Sequence, residues 1–115
     1  MIKERVHGVV VTADAKYVSE RTRISTLALR AGLPTMFWTR EFAEVGGLMT
    51  YGTNVPHLYR RAAAYVEKIL KGAKPSDLPV EQPTIFEFVI NLKTAKALSL
   101  RIPDSLVIRA DEVLQ

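Results

Sequence analysis

Cysteine is absent from the 115-residue sequence, which excludes a disulfide framework and any thiolate metal site. The same absence suits a reducing or an oxidising compartment. Histidine is scarce: His7 and His57 have no further ligand at metal-binding spacing, which argues against a zinc-type centre. No apolar run approaches the roughly 20 residues that span a bilayer. The apolar part of MIKERVHGVVVT is too short, and too soon polar, for a signal peptide. A glycine-rich phosphate loop is missing, because Gly46-Gly47 precedes a strand rather than following one. Ser19, Ser25, Ser76, Ser99 and Ser105 lack the strand–turn–helix setting of a catalytic nucleophile. Charge of one sign is not gathered anywhere. Lysine and arginine number 16 against 12 acids, a net charge of +4, and they are interspersed without the basic, aromatic-studded patch that nucleic-acid binding requires.

What is present is ordinary in amount and orderly in arrangement. Hydrophobic residues make up 48% and charged residues 24%, the balance of a folded globular chain. The length suits one domain over residues 1–115. Val9-Val10-Val11 within Val6–Thr12 is a β-branched run suited to a buried strand. Tyr17–Ala31 has helical spacing and is stopped by Gly32. Thr35–Thr39 is a second strand, Arg40–Val45 one or two helical turns, and Leu48–Tyr51 a third strand. Asn54 can cap a helix, with Pro56 in its first turn. Leu58, Ala62, Val66 and Ile69 then define a stripe expected to be buried. Gly72 suits a left-handed cap, and Pro75 forbids continuation. Thr84–Leu92 is the fourth strand, Lys93–Leu100 a short helix, and a last helix follows Pro103 through Val113. Alternating strands and helices predict an α/β fold, a three-layer sandwich around a mostly parallel sheet of about four strands.

In such sheets a ligand sits beyond the C-terminal strand ends. Three ends can be read: Thr12, Ala13 and Asp14; Trp38, Thr39, Arg40 and Glu41; and Tyr51, Gly52, Thr53 and Asn54. Hydroxyls, a guanidinium, carboxylates and aromatic rings together suit a zwitterion or small carboxylate. Arg40 can grip a carboxylate at two points. Each residue also has a plainer role. Asp14 can be a helix N-cap, Thr12 can satisfy local backbone, Arg40 and Glu41 can be a solvated pair, and Trp38 can be core. Tyr51, beside a glycine turn, is the strongest candidate for facing ligand. Asp14 after a strand also suggests a receiver-domain phosphoacceptor. That site needs a pair of acids at the strand end, and only Lys3-Glu4-Arg5 before the strand and Asp14 after it are available.

The strings YGTN, YRRAAAYVEKILKGAKPSDLPVEQPT and FVINLKTAKAL resemble the C-terminal part of ABC-transporter substrate-binding proteins. The subgroup is the one described as an uncharacterised periplasmic component, some members of which bind aromatic amino acids. The resemblance runs from about Val6 to near the C-terminus. Family members have two lobes and a longer chain, and this chain resembles only the second half. The resemblance implies one lobe of a type I periplasmic binding protein, with residues 74–83 as a crossing or exit segment. It implies capture of a small-molecule solute such as an amino acid, without chemistry or cofactor, and delivery to an ABC permease; the family is periplasmic. Thr12, Asp14, Trp38, Arg40, Tyr51, Gly52 and Thr53 are the expected ligand-binding residues, with no catalytic or metal-binding ones. A face built to meet another lobe implies a homodimer covering Trp38 and Tyr51. The rival is a free-standing α/β interaction or regulatory domain derived from such a fragment.

Overall fold

The computed structural model describes residues 5–115; Lys3 and Glu4, weighed above for a receiver site, lie outside them. The described residues sort into two compact units, residues 5–52 with 87–115 and residues 53–86.

The first unit carries the sheet. In chain order it holds β1 (Val9–Val11), α1 (Ala15–Ser19), α2 (Arg21–Arg30), β2 (Thr35–Phe37), α3 (Glu41–Glu44) and most of β3 (Met49–Thr53). The chain returns to it through β4 (Phe86–Asn91), α5 (Leu92–Ala97), α6 (Asp104–Val107) and β5 (Glu112–Leu114). The sheet has five strands in the order β1-β2-β3-β4-β5. β1 runs parallel to β2 with Val11 opposite Phe37, β2 parallel to β3 with Met36 opposite Met49, and β4 parallel to β5 with Ile90 opposite Val113. The fold is thus α/β with a mostly parallel sheet. The Asn91 N–H at the end of β4 donates to the Leu48 carbonyl at the start of β3, 2.8 Å away. A strand end beside a strand start sets β4 and β5 antiparallel to the first three.

Packing explains why this unit holds together. The Phe37 and Phe42 rings stack at 4.2 Å between centroids, and both are buried with Leu48, Val89, Ile90 and Ala95. Several buried polar groups among them are paired, while the hydroxyls of Ser25 and Thr50 have no hydrogen-bond partner among the described residues. Thr35 Oγ1 accepts from the Leu48 N–H at 3.0 Å, and Asn91 Nδ2 donates to the Ala43 carbonyl at 2.9 Å. Asn91 Oδ1 caps α5 by accepting from the Thr94 N–H at 3.0 Å, and the Thr94 hydroxyl donates to the Gly46 carbonyl at 3.1 Å. One asparagine therefore ties β4 to both α3 and α5, which makes the register of β4 costly to shift.

Two sequence expectations are corrected here. The single helix over Tyr17–Ala31 is two, broken at Glu20. The Ser19 hydroxyl donates to the Lys16 carbonyl at 2.7 Å, a local bond that competes with helix continuation. The last helix stops at Val107, and residues 112–114 form a fifth strand. Asp111 anchors that strand: its N–H donates to the Phe88 carbonyl at 2.8 Å and its carboxylate accepts from the Phe88 N–H at 2.7 Å.

The second unit is α4 (Val55–Leu70), a 3-10 turn over Pro75–Asp77 and an extended return. Both ends of α4 form as the sequence predicts. Asn54 Oδ1 accepts from the His57 N–H at 2.9 Å, with Pro56 in the first turn. Gly72 takes φ +104°, so that the Ala73 N–H reaches the Lys68 carbonyl and the Gly72 N–H the Ile69 carbonyl, each at 3.0 Å. The return segment is held to the helix by Arg61, whose Nε donates to Glu81 at 3.0 Å, and by the Tyr65 hydroxyl, which donates to the Pro79 carbonyl at 2.5 Å. The expected buried stripe is the third correction. No residue of α4 is buried, and Val66 and Ile69 are exposed. The only cover inside this unit is a single extended segment, which cannot bury a helix face.

Candidate functional site

The strand ends of the first unit gather at one edge. Because β4 and β5 run against β1–β3, the C-terminal ends of the first three strands share that edge with the N-terminal ends of the last two. Thr12, Ala13 and Asp14 leave β1 there, and Trp38, Thr39 and Arg40 leave β2. Glu87 and Glu112 open β4 and β5.

Ala13, Asp14, Ala15, Val18 and Trp38 line an open concavity of about 430 Å³. Asp14 does cap α1, as one of its readings proposed: its Oδ1 accepts from the Lys16 N–H at 2.7 Å. The residue is exposed, so its carboxylate also fronts the concavity. Trp38 is half-buried, and its indole N–H is enclosed without an acceptor among the described residues. Gly52 owes its place to Trp38: a Cβ there would stand 1.8 Å from the Trp38 carbonyl oxygen. Only glycine lets the two strand ends approach this closely. Tyr51 is exposed on β3 with its ring edge-on to Phe88 at 6.3 Å. Thr12 is exposed at the end of β1. Thr53, the last residue of β3, belongs to the second unit.

Arg40 does not stand free to meet an anion. Its Nε bonds Glu44 at 3.0 Å, one terminal nitrogen bonds Glu87 at 2.9 Å and the other Glu112 at 2.9 Å. All sides of the guanidinium fork are taken by carboxylates from α3, β4 and β5. The Glu44 hydrogen bond raises its pKa above an already high value, burial opposes this, and the charges of Glu87 and Glu112 add to the rise. The group is a fixed cation with more negative charge around it than it carries. Buried Thr39 donates its hydroxyl to Glu41, adding another carboxylate to this edge.

The structure therefore brings Asp14, Trp38 and Gly52 together, keeps Tyr51 and Thr12 on accessible surface, and commits Arg40 to its own chain. Glu87 and Glu112 are the residues that sequence reading missed. The visible signal for Glu87 was a lone charge inside the apolar run Phe86–Leu92; its partner could be inferred only with the direction of β4 in hand. The arrangement offers acceptors, hydroxyls and aromatic surface for binding. Among the described residues no group of three histidine, cysteine, aspartate or glutamate side chains is placed to hold a metal ion.

Comparison with known proteins bears on the fold and the family. The family model "ABC transporter substrate binding protein" matches residues 1–114. A conserved domain protein from Vibrio cholerae superposes with a TM-score of 0.90 and 25% identity, over 97% of this chain and 38% of its own. An ABC domain from Streptococcus pneumonia, solved in complex with L-Trp, superposes with a TM-score of 0.89 and 27% identity, over 98% of this chain and 38% of its own. A substrate-binding protein with adhesive properties from Clostridium difficile, in a ligand-free open form, shares the fold with a TM-score of 0.65 and 23% identity. No curated protein matches. The chain spans well under half the length of these solved relatives, 38% of each of the first two. The match over nearly the whole sequence settles its kinship: this chain belongs to the ABC transporter substrate-binding protein family.

Proposed function

We propose that this chain is one solute-binding lobe of an ABC-type importer and that its solute is a small amino acid with an aromatic side chain. The observation that carries the reading is the concavity between Asp14 and Trp38, in a fold whose pneumococcal relative is described in complex with L-Trp. A carboxylate beside an aromatic wall suits an ammonium group attached to a flat apolar side chain. Thr12 supplies a hydroxyl for the solute's carboxylate, and Tyr51 a second ring. Arg40, neutralised by Glu44, Glu87 and Glu112, shapes the rim instead of gripping the solute. Gly52 permits the strand ends to close around it. The task is capture and hand-over to a permease on the outer side of the membrane, with no bond made or broken. Among the described residues no helix is long and apolar enough to cross a membrane.

A chain that spans 38% of its relatives encloses only part of a solute. Polar contacts half in water gain little over solvation, and ordering costs must still be met. A loss of about 4 kcal/mol would move a micromolar site to roughly millimolar. Titration of the isotope-labelled chain with L-Trp, followed by amide and indole NMR shifts, tests this. Shifts should cluster at Thr12, Asp14, Trp38, Tyr51 and Gly52, saturate near the millimolar range and vanish in Asp14→Asn. Shifts confined to other residues, or none at the solubility limit, would sink the proposed site. Micromolar binding by a monomer would overturn the partial-cleft argument.

A further inference from the structure

The residues that line the concavity at the ends of β1 and β2 carry charge of one sign only. Among Ala13, Asp14, Ala15, Val18 and Trp38, Asp14 is the charged member, and none is a lysine, arginine or histidine. Its Oδ1 accepts the Lys16 N–H at 2.7 Å, and the residue is exposed. An ionised carboxylate has roughly four acceptor positions, so capping α1 leaves room for a solute ammonium. The basic residues nearest along the chain are placed elsewhere. Lys16 is exposed on α1 and outside the lining. Arg21 donates to the Val18 carbonyl at 3.0 Å. Arg40 is held by Glu44, Glu87 and Glu112. A solute ammonium therefore meets an opposite charge here. A solute carboxylate finds at this strand end only the neutral hydroxyl of Thr12, which serves an uncharged carbonyl as well.

We infer that this lobe reads the ammonium and the ring of its solute and not the carboxylate, so that on this chain an aromatic monoamine binds more tightly than the corresponding amino acid. The inference rests on the reading of the concavity as a solute site and goes on to name the charge class that the site prefers. An α-amino acid that sets its ammonium on Asp14 brings its own carboxylate within a few ångströms of the same side chain. For like charges about 6 Å apart near water's dielectric constant, the repulsion corresponds to roughly a threefold loss of affinity. The loss grows where the Trp38 wall excludes water. The amino acid also gives up hydration of an anion that gains no cation in return. A monoamine keeps the attraction to Asp14 and the stacking on Trp38 without either cost.

Titrations of the isotope-labelled chain at pH 7 with L-Trp, tryptamine and indole-3-propionate separate the two charges on a common ring. The chain has a single tryptophan, so its indole resonance reports Trp38 alone. Tryptamine should bind roughly three- to tenfold more tightly than L-Trp at low salt, with the gap narrowing as salt is added, and indole-3-propionate should bind most weakly. Asp14→Asn retains an N-cap oxygen for α1, so the fold is kept. It should weaken tryptamine by roughly tenfold and leave indole-3-propionate no weaker. L-Trp binding as tightly as tryptamine, with both moving the Asp14 and Trp38 resonances, overturns the inference and leaves the concavity as the site. A tryptamine lead that persists in Asp14→Asn overturns it as well, by assigning the preference to other carboxylates. If none of the three ligands moves those resonances, the site falls and the inference with it.

Discussion

Ile90 and Ile69 are the same side chain in two differently built parts of the chain. Ile90 is fully buried in β4 among Phe37, Phe42, Leu48 and Val89, in a unit whose strands and helices close on one another. Ile69 lies on α4 and is 41% exposed, in a unit made of one helix and one extended segment. Both sit where hydrophobic periodicity places a core residue. The first unit has several layers of chain to complete its core. The second has caps, ion pairs and a well-defined helix, but no partner layer. Periodicity announces that a face is meant to be covered; it does not supply the cover.

The comparison is broken most directly by truncating both isoleucines. Ile90→Ala should cost about 2–5 kcal/mol in urea unfolding, the transfer term plus a cavity that a packed core cannot close. Ile69→Ala should stay within roughly 0.5–1 kcal/mol, the range of surface positions. Equal costs would mean that α4 is packed as tightly as the sheet, and the contrast would fall.

Helix ends sharpen the contrast at smaller scale. Gly72 ends α4 with φ +104°, while Ser99 takes φ +55° after α5 with the same bonding pattern, its N–H on Lys96 and that of Leu100 on Ala95. Gly72→Val should destabilise α4 by roughly 1 kcal/mol or more, because a β-branched residue resists positive φ. Hydrogen exchange at Ala73 and along the last turn of α4 would report it. Ser99→Gly should do the opposite in the first unit, relieving a left-handed serine and raising the melting midpoint by an amount equivalent to about 0.5 kcal/mol. An unchanged or lower melting midpoint would show that the Ser99 conformation carries no strain.

The smallest effect is electrostatic and confined to the second unit. The Arg61 hydrogen bond holds the Glu81 carboxyl below its ordinary value of 4.5, and burial opposes this slightly. A depressed folded pKa gives stability that is present above the unfolded value and lost as pH falls through the folded one. Exchange protection of α4 should therefore weaken as pH falls below about 4.5, beyond what the first unit shows. Glu81→Gln should remove that extra acid sensitivity. Its persistence in the variant would assign it to another group.

Much of the fold was legible because much of it is local. Asn54, Pro56 and Gly72 dictate the ends of α4 through bonds within a few residues, and the valine run and Thr35–Phe37 declare themselves as strands by composition. Strand ends alone place Asp14 and Trp38 as candidates, and both line one concavity. Misreadings arose where a short polar side chain outweighed a periodic pattern, as Ser19 does between α1 and α2, or where a distant residue captured a segment, as Phe88 captures Asp111 and turns an expected helix into β5.

Arg40 marks the division most sharply. By itself the sequence determined that a guanidinium would stand at the end of β2, since that follows from strand length and the turn after it. Tertiary structure decided what the guanidinium does. The antiparallel return of β4 and β5 brings Glu87, 47 positions along the chain, and Glu112 to the same edge, and converts an apparent anion receptor into a neutralised strut. Local sequence governs backbone conformation because capping and sterics act over a few bonds. Charge balance at a site depends on which distant carboxylates arrive there, and only the folded chain brings them within reach.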